Sequence, residues 1–183
     1  MKDFNDLWRH ITQERPGVVT VQNREELECI YHLIEGCSSY LEVGTAEGNS
    51  LYVLSHALLP NSQITYVDFG EKHTTPHRDK ILAELRSQGH VINEVLGDSN
   101  DPVTACAANG RYDVVLIDAG HSYNNVRNDA LLYGPMATKY LLFHDIQLPD
   151  VRRAFEEYAL TRDCKVTRVI NSPTFGYAIM EIQ

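Results

Sequence analysis

Apolar runs of strand length alternate with helix-patterned segments along most of this chain, and that alternation constrains the fold more than any other feature. The runs at 39–45, 63–68, 90–96, 112–119 and 139–145 each read as a strand, and the clearest buried one places Val114, Val115, Leu116 and Ile117 consecutively. Helical patterns lie between them. One covers 49–59 and stops at Pro60; the next covers 79–87, after the polar loop 70–78. Asn100, Asp101 and Pro102 open a third with a cap and a first-turn proline, and 125–133 and 151–160 follow. Strands separated by helices need crossover connections, so they pair in parallel with helices over both faces. The segments 164–170 and 177–182 flank a turn and read as a hairpin. The expectation is an α/β fold: a doubly wound seven-stranded sheet, mostly parallel, with an antiparallel C-terminal hairpin strand.

No repeat, low-complexity tract or Gly/Ser linker divides the 183 residues, so 1–183 reads as a single domain with 1–22 as an N-terminal helical extension. Asn23 and Glu26 form a capping pattern ahead of Leu27, Ile30, Tyr31 and Ile34 at helical spacing. Sixteen Lys+Arg against 25 Asp+Glu give a formal charge of −9, and no basic patch is visible, which argues against a nucleic-acid partner. No apolar run approaches the ~18 residues of a membrane span, and the N-terminus lacks the apolar core of a signal peptide, so a cytoplasmic location is expected. Cys29, Cys37, Cys106 and Cys164 form no Cys-x-x-Cys pair and read as buried small hydrophobes. Phe4, Leu7 and Trp8 offer an apolar face for a partner subunit, giving a homodimer as the expected assembly.

The polar residues fall at the strand ends. Glu42 and Gly44 close the first run, Asp68 the second, Asp98 follows the third, Asp118 closes the fourth, and His144-Asp145 the fifth. Parallel crossovers put all these ends on one edge, where open α/β sheets bind ligands. Aspartates also cap following helices, but capping alone is a poor account of five converging acids. LEVGTAEGNS (41–50) passes from strand to helix through Gly44 and Gly48. The dinucleotide pattern G-x-G-x-x-G fails here, because Ala46 and Asn49 stand where glycines are required, and no phosphate-loop Gly-Lys-Ser/Thr occurs.

Glu42-x-Gly44-x-x-x-Gly48, Asp68 at a strand end, Gly97-Asp98 and Asp118 together resemble the Rossmann-like class I S-adenosylmethionine-dependent methyltransferases. The string IDAGHSYNNVRNDALLYGPM followed by YLLFHDI resembles the small metal-dependent O-methyltransferases related to the catechol, macrocin and cephalosporin-hydroxylase groups. Ala137-Thr138-Lys139 departs from the Gly-Gly that relatives often carry before the fifth strand.

The resemblance implies S-adenosylmethionine as cofactor and O-methylation of a small molecule. Gly44, Thr45 and Gly48 would lie against the cofactor's methionine and ribose, with Glu42 at the base of the pocket. Asp68 would chelate the ribose hydroxyls with both oxygens, and Asp98, with Ser99 beside it, would face the adenine amino group. Asp118, His144 and Asp145 would hold Mg²⁺ or another divalent metal. Two carboxylates ~4 Å apart repel by about 1 kcal/mol in water and about 4 kcal/mol at an effective dielectric of 20, a cost a cation relieves. His121 stands three residues after Asp118, where catechol-type relatives place a basic lysine, and an imidazole accepts a proton near neutrality. Tyr123 would line the same mouth, whereas His73 and His77 resemble a metal pair only superficially. Two alternatives stay open: a metal-dependent hydroxylase-like enzyme on the same scaffold, and a non-catalytic S-adenosylmethionine-binding protein. Residues 1–22 and 69–78, where substrate specificity would reside, carry no diagnostic pattern.

Overall fold

A computed structural model describes residues 3–13, 22–69, 76–161, 164–170 and 175–182. Two helices, α1 (Phe4–Gln13) and α2 (Arg24–Leu33), precede β1 (Ser39–Val43). The alternation then runs α3 (Asn49–Ser55), β2 (Gln63–Asp68), α4 (Pro76–Ser87), β3 (Val91–Leu96), α5 (Pro102–Ala107), β4 (Tyr112–Ile117) and α6 (Tyr123–Tyr133). A 3₁₀ turn (Gly134–Met136) leads to β5 (Ala137–His144), α7 (Pro149–Leu160), β6 (Cys164–Ile170) and β7 (Tyr177–Ile182). The strands form one sheet in the order β3-β2-β1-β4-β5-β7-β6. β1 to β5 pair in parallel, and β7 runs antiparallel to both β5 and β6. The fold is thus α/β and Rossmann-like, mostly parallel, with the antiparallel pair at its C-terminal end.

The consecutive apolar residues of the strands serve two cores, because successive side chains leave a strand on opposite faces. Tyr40, Val114 and Leu142 pack under α1 to α4, whereas their neighbours Leu41, Val115 and Leu141 pack under α5 to α7. Phe4 and Leu7, expected on an outward face, are buried in the first of these cores, and Trp8 packs partly against it. The α1 face is therefore largely consumed within the chain. Cys37 is buried as expected, but Cys29 is only partly covered and Cys106 is exposed. Among the described residues, no helix is long and apolar enough to cross a membrane.

Several element boundaries differ from the sequence reading, among them α6, which starts at Tyr123, and β5, which starts at Ala137, each two residues early. α3 ends at Ser55 rather than at 59, since the amides of His56 and Ala57 turn to Val53 and Leu54, three residues back. α4 starts at Pro76, inside the segment read as polar loop, with proline in the first turn, where its missing N–H costs nothing. α7 likewise starts two residues early, at Pro149. The loop histidine His73 and residues 171–174 of the hairpin turn lie outside the described residues.

Candidate active site

β1 lies between β2 and β4, so successive crossovers leave it in opposite directions and open a crevice beyond its carboxyl end. The strand ends are tied together there. Gly44 N–H donates to Val67 O (2.8 Å), Asp118 N–H to Val43 O (2.8 Å), and Gly97 N–H to Asp68 O (2.9 Å). A cavity of about 420 Å³ occupies the crevice, bounded by Gln22, the 44–50 loop, Asp118, His121, Asp145 and Phe175. A second, of about 250 Å³, adjoins it over Asp68, Phe69 and Ser99, and the two share Gly44, Ala46, Asp118 and Ala119. The result is an elongated cleft, acidic at both ends.

The glycine loop forms the floor. Gly44 has φ +92°, and a Cβ there would meet the Asp118 carbonyl oxygen at 2.3 Å. Glycine is the residue that lets β1 and β4 approach this closely. Ala46 also adopts positive φ (44°). Its N–H and that of Thr45 both donate to Asp68 Oδ2, at 2.6 and 3.0 Å. Glu42, placed by the resemblance at the base of the pocket, is fully buried beneath it and lines neither cavity. Tyr40 and Ser50 hydroxyls donate to its oxygens at 2.5 and 2.7 Å. Burial, aided by the charges of Asp118 and Asp68, outweighs those bonds and pushes its carboxyl up to about 8, so Glu42 is neutral at pH 7. At the far end Ser99 lines the cavity, whereas Asp98 is exposed and accepts the Asn100 N–H at 2.9 Å. Asp101 is the residue that caps α5.

The ends of β4 and β5 build the other corner. Asp118 Oδ1 accepts from His144 Nδ1 (3.0 Å), and Gln22 Nε2 donates to Oδ2 (3.2 Å). His144 is buried with its second nitrogen 3.8 Å from Glu26 Oε2, so both ring edges face carboxylates. Burial alone would lower its pKa, but Asp118, Glu26 and Asp145 together raise it to about 10. Its Nδ1 also lies 3.6 Å from Asp145 Oδ2, so His144 braces both carboxylates of the corner from its buried side. His121, about half exposed, places Nε2 2.6 Å from Asp145 Oδ2. That bond raises the imidazole pKa, and against the effect of its burial it helps hold Asp145 below the usual carboxylate range. Burial pushes Asp118 the other way, upward, against the pull of His144. Asp118, His121 and Asp145 each offer one ligand atom, all within 4.8 Å of one another, and this is the one such group among the described residues. His121, expected as the base, thus joins Asp118 and Asp145 in a converging set. Tyr123 turns away from the mouth, with its hydroxyl bonded to Glu157 and Arg153 4.2 Å over its ring. His77 sits 3.4 Å from Asn49.

Several residues of the cleft carried no recognised signal. Gln22 precedes Asn23, which caps α2 by accepting from Glu25 N–H. Glu26, read as part of that cap, is fully buried and accepts the Gly176 N–H at 2.9 Å, joining α2 to the start of β7. Arg78 sat in a segment read as loop, although Pro76 two residues earlier is a helix-start signal. Phe69 and Phe175 are isolated aromatics that only the fold brings to the cleft.

Comparison with solved structures gives the same architecture over the whole chain. The O-methyltransferase TomG from Streptomyces achromogenes, involved in tomaymycin synthesis and solved with S-adenosylmethionine, is 15% identical. The match covers 100% of this chain and 91% of TomG with a TM-score of 0.71. An O-methyltransferase from Bacillus cereus, solved with S-adenosylhomocysteine, is 16% identical over 100% and 92% of the two chains, also at 0.71. At such identity the likeness carries the fold. No curated protein sequence matches significantly. The model of the methyltransferase domain matches residues 41–146, a stretch that opens in β1 and ends just past the His144-Asp145 pair. It thus spans the glycine loop, Asp68 and the acidic corner, and the chain belongs to the methyltransferase-domain family.

Proposed function

We propose that this protein transfers a methyl group from S-adenosylmethionine to an oxygen of a small molecule. The observation that carries this reading is the single cleft joining an Asp68/Phe69/Ser99 end to an Asp118/His121/Asp145 end across the glycine loop. The first end fits an adenosine: Phe69 exposes an apolar ring, and Asp68 keeps one carboxylate oxygen unbonded beside it. The second end fits a hydroxyl that must lose its proton. When bound, S-adenosylmethionine supplies an electrophilic methyl on a sulfonium.

The chain's own residues then have three tasks. Asp145 accepts from His121 Nε2, which fixes the tautomer and leaves Nδ1 as the atom that takes the substrate proton. Asp118, held by His144 and Gln22, presents fixed negative charge toward the sulfonium end of the cleft. Phe175 and the loop at 44–50 line the cavity in which the reacting atoms would meet. Replacing His121 with Ala is expected to lower kcat about a hundredfold while changing S-adenosylhomocysteine affinity little, as befits a general base. Equal kcat in the variant at pH 7 would remove His121 from this role.

A second reading of the same corner rests on the convergence of Asp118, His121 and Asp145 within 4.8 Å. A divalent ion bound there would supply a Lewis acid that acidifies the substrate hydroxyl, and the mixed oxygen and imidazole donors suit Mn²⁺, Fe²⁺ or Zn²⁺ better than Mg²⁺. Chelation separates the two readings. The His121–Asp145 dyad predicts that activity survives removal of metal, and the ion-dependent reading predicts its loss and recovery on adding one cation. The reading as a whole is tested by titration calorimetry with S-adenosylhomocysteine. Absence of binding, with and without divalent cations, would overturn it.

A further inference from the structure

Arg78 heads the fully buried side chains, an unusual place for a guanidinium in a chain whose surface has ample room for charge. It comes from the first turn of α4 and reaches beneath the glycine loop. Its Nη1 lies 3.2 Å from Asp68 Oδ2 and 3.2 Å from the carbonyl oxygen of Ala46. The guanidinium carbon sits 5.3 Å from the centre of the Tyr66 ring. Both members of the ion pair are almost wholly shielded, with side-chain exposures of 1% and 7%. Isolated, either charge would be costly in this position; paired, each holds the other in one geometry.

The arrangement closes on the strained residue of the loop. Ala46, at φ +44°, donates its N–H to Asp68 Oδ2 and its carbonyl accepts from Arg78 Nη1. One ion pair between β2 and α4 thereby clamps both polar groups of the peptide backbone at the turn. The same contacts use up one half of the carboxylate. Oδ2 receives three donors, from Thr45, Ala46 and Arg78, and Oδ1 receives none among the described residues.

We infer that Arg78 is a positioning residue of the cofactor site, which locks Asp68 so that it reads a ribose through Oδ1 alone and favours one of the two hydroxyls over the other. This rests on the cofactor reading proposed above. It also departs from the two-oxygen chelation of a vicinal diol that the resemblance implies, since the second oxygen is already saturated by the loop and by α4.

The test is calorimetry with S-adenosylhomocysteine and with its 2′-deoxy and 3′-deoxy analogues, on the wild type, Arg78→Met and Arg78→Lys. In the wild type, loss of one hydroxyl should weaken binding about thirtyfold and loss of the other less than about threefold, the span between a lost charge-assisted bond and a dispensable one. In Arg78→Met, S-adenosylhomocysteine should bind at least about tenfold more weakly, and the contrast between the analogues should fall below about threefold, because Asp68 is freed to turn. Arg78→Lys should restore the contrast, since a single Nζ can serve the two acceptors that Nη1 serves now. A purely structural arginine would alter stability and overall affinity without changing which hydroxyl matters.

Equal losses from the two analogues in the wild type would overturn the inference, as would an undiminished contrast in Arg78→Met. Should Arg78→Met fail to fold, the wild-type contrast and its retention in Arg78→Lys still decide. Wild-type protein that binds none of the three ligands would bring down the cofactor reading and this inference with it. Wild-type protein that binds them, with Arg78 variants indistinguishable from it, would sink the inference alone.

Discussion

A Glu42→Gln protein is expected to match the wild type in stability near about pH 4 and to exceed it by a few kcal/mol near about pH 8. Glu42 is fully buried, and its carboxyl is raised from an ordinary 4.5 to about 8 by that burial and by the neighbouring charges of Asp118 and Asp68. Below the unfolded value both folded and unfolded chains carry the proton, and the residue imposes no penalty. Between 4.5 and about 8 the unfolded chain releases the proton and the folded chain retains it, so stability falls as pH rises. The slope is about 1.4 kcal/mol per pH unit across that window, and it vanishes above the folded value. Glutamine has the shape of the protonated acid and carries one acceptor and one donor edge for Tyr40 and Ser50, yet cannot ionise. Denaturant unfolding of the two proteins at a series of pH values gives the difference curve directly, free of the titration of every other group they share. Curves that stay parallel from about pH 4 to 8 would show that Glu42 is ionised in the folded protein.

That outcome bears on how far the sequence could be read. Its carboxylates at strand ends do converge on one edge, as the βαβ alternation requires, but convergence did not tell what each one does. Glu42 and Asp68 lie on neighbouring strands two register positions apart, yet differ in role. The first is an internal prop for the start of α3, and the second pairs with Arg78 at 3.2 Å. Asp98 faces solvent beside Asn100, while Asp118 and Asp145 share the cleft with two histidines. A residue's periodicity fixes its face and its position along the strand, and both follow from local sequence. Its ionisation depends on which long-range neighbours the fold supplies. His144 shows this most plainly, because one of its three carboxyl neighbours, Glu26, lies 118 positions away on a helix whose first turn was read only as a cap. The places of His121 and His144 around Asp118 and Asp145 have the same origin. Both sit at the right strand ends, but only the fold decides which ring has a free edge.

Replacing Gly44 with Ala is expected to destabilise the protein by at least about 3 kcal/mol and to abolish measurable S-adenosylhomocysteine binding, because the added methyl meets backbone that cannot yield. The Cβ would stand 2.3 Å from the Asp118 carbonyl oxygen, 2.5 Å from Ala119 Cα and 2.6 Å from Ala119 N. Relief requires β1 and β4 to separate at the point where Asp118 N–H bonds Val43 O, and so displaces Asp118 from the corner it shares with His121 and Asp145. Gly36→Ala supplies the comparison. Gly36 also has positive φ, +80°, but a Cβ there meets nothing within 4 Å. Its substitution should therefore cost only the backbone term of about 1 kcal/mol. The difference between the two variants isolates the close approach of the strands from the conformational preference of glycine. If Gly44→Ala were no worse than Gly36→Ala in denaturant unfolding, the β1–β4 approach would have slack. The cleft would then owe its shape to the Asp68–Arg78 clamp beneath the loop, and Arg78→Met, not Gly44→Ala, would be the substitution that collapses it.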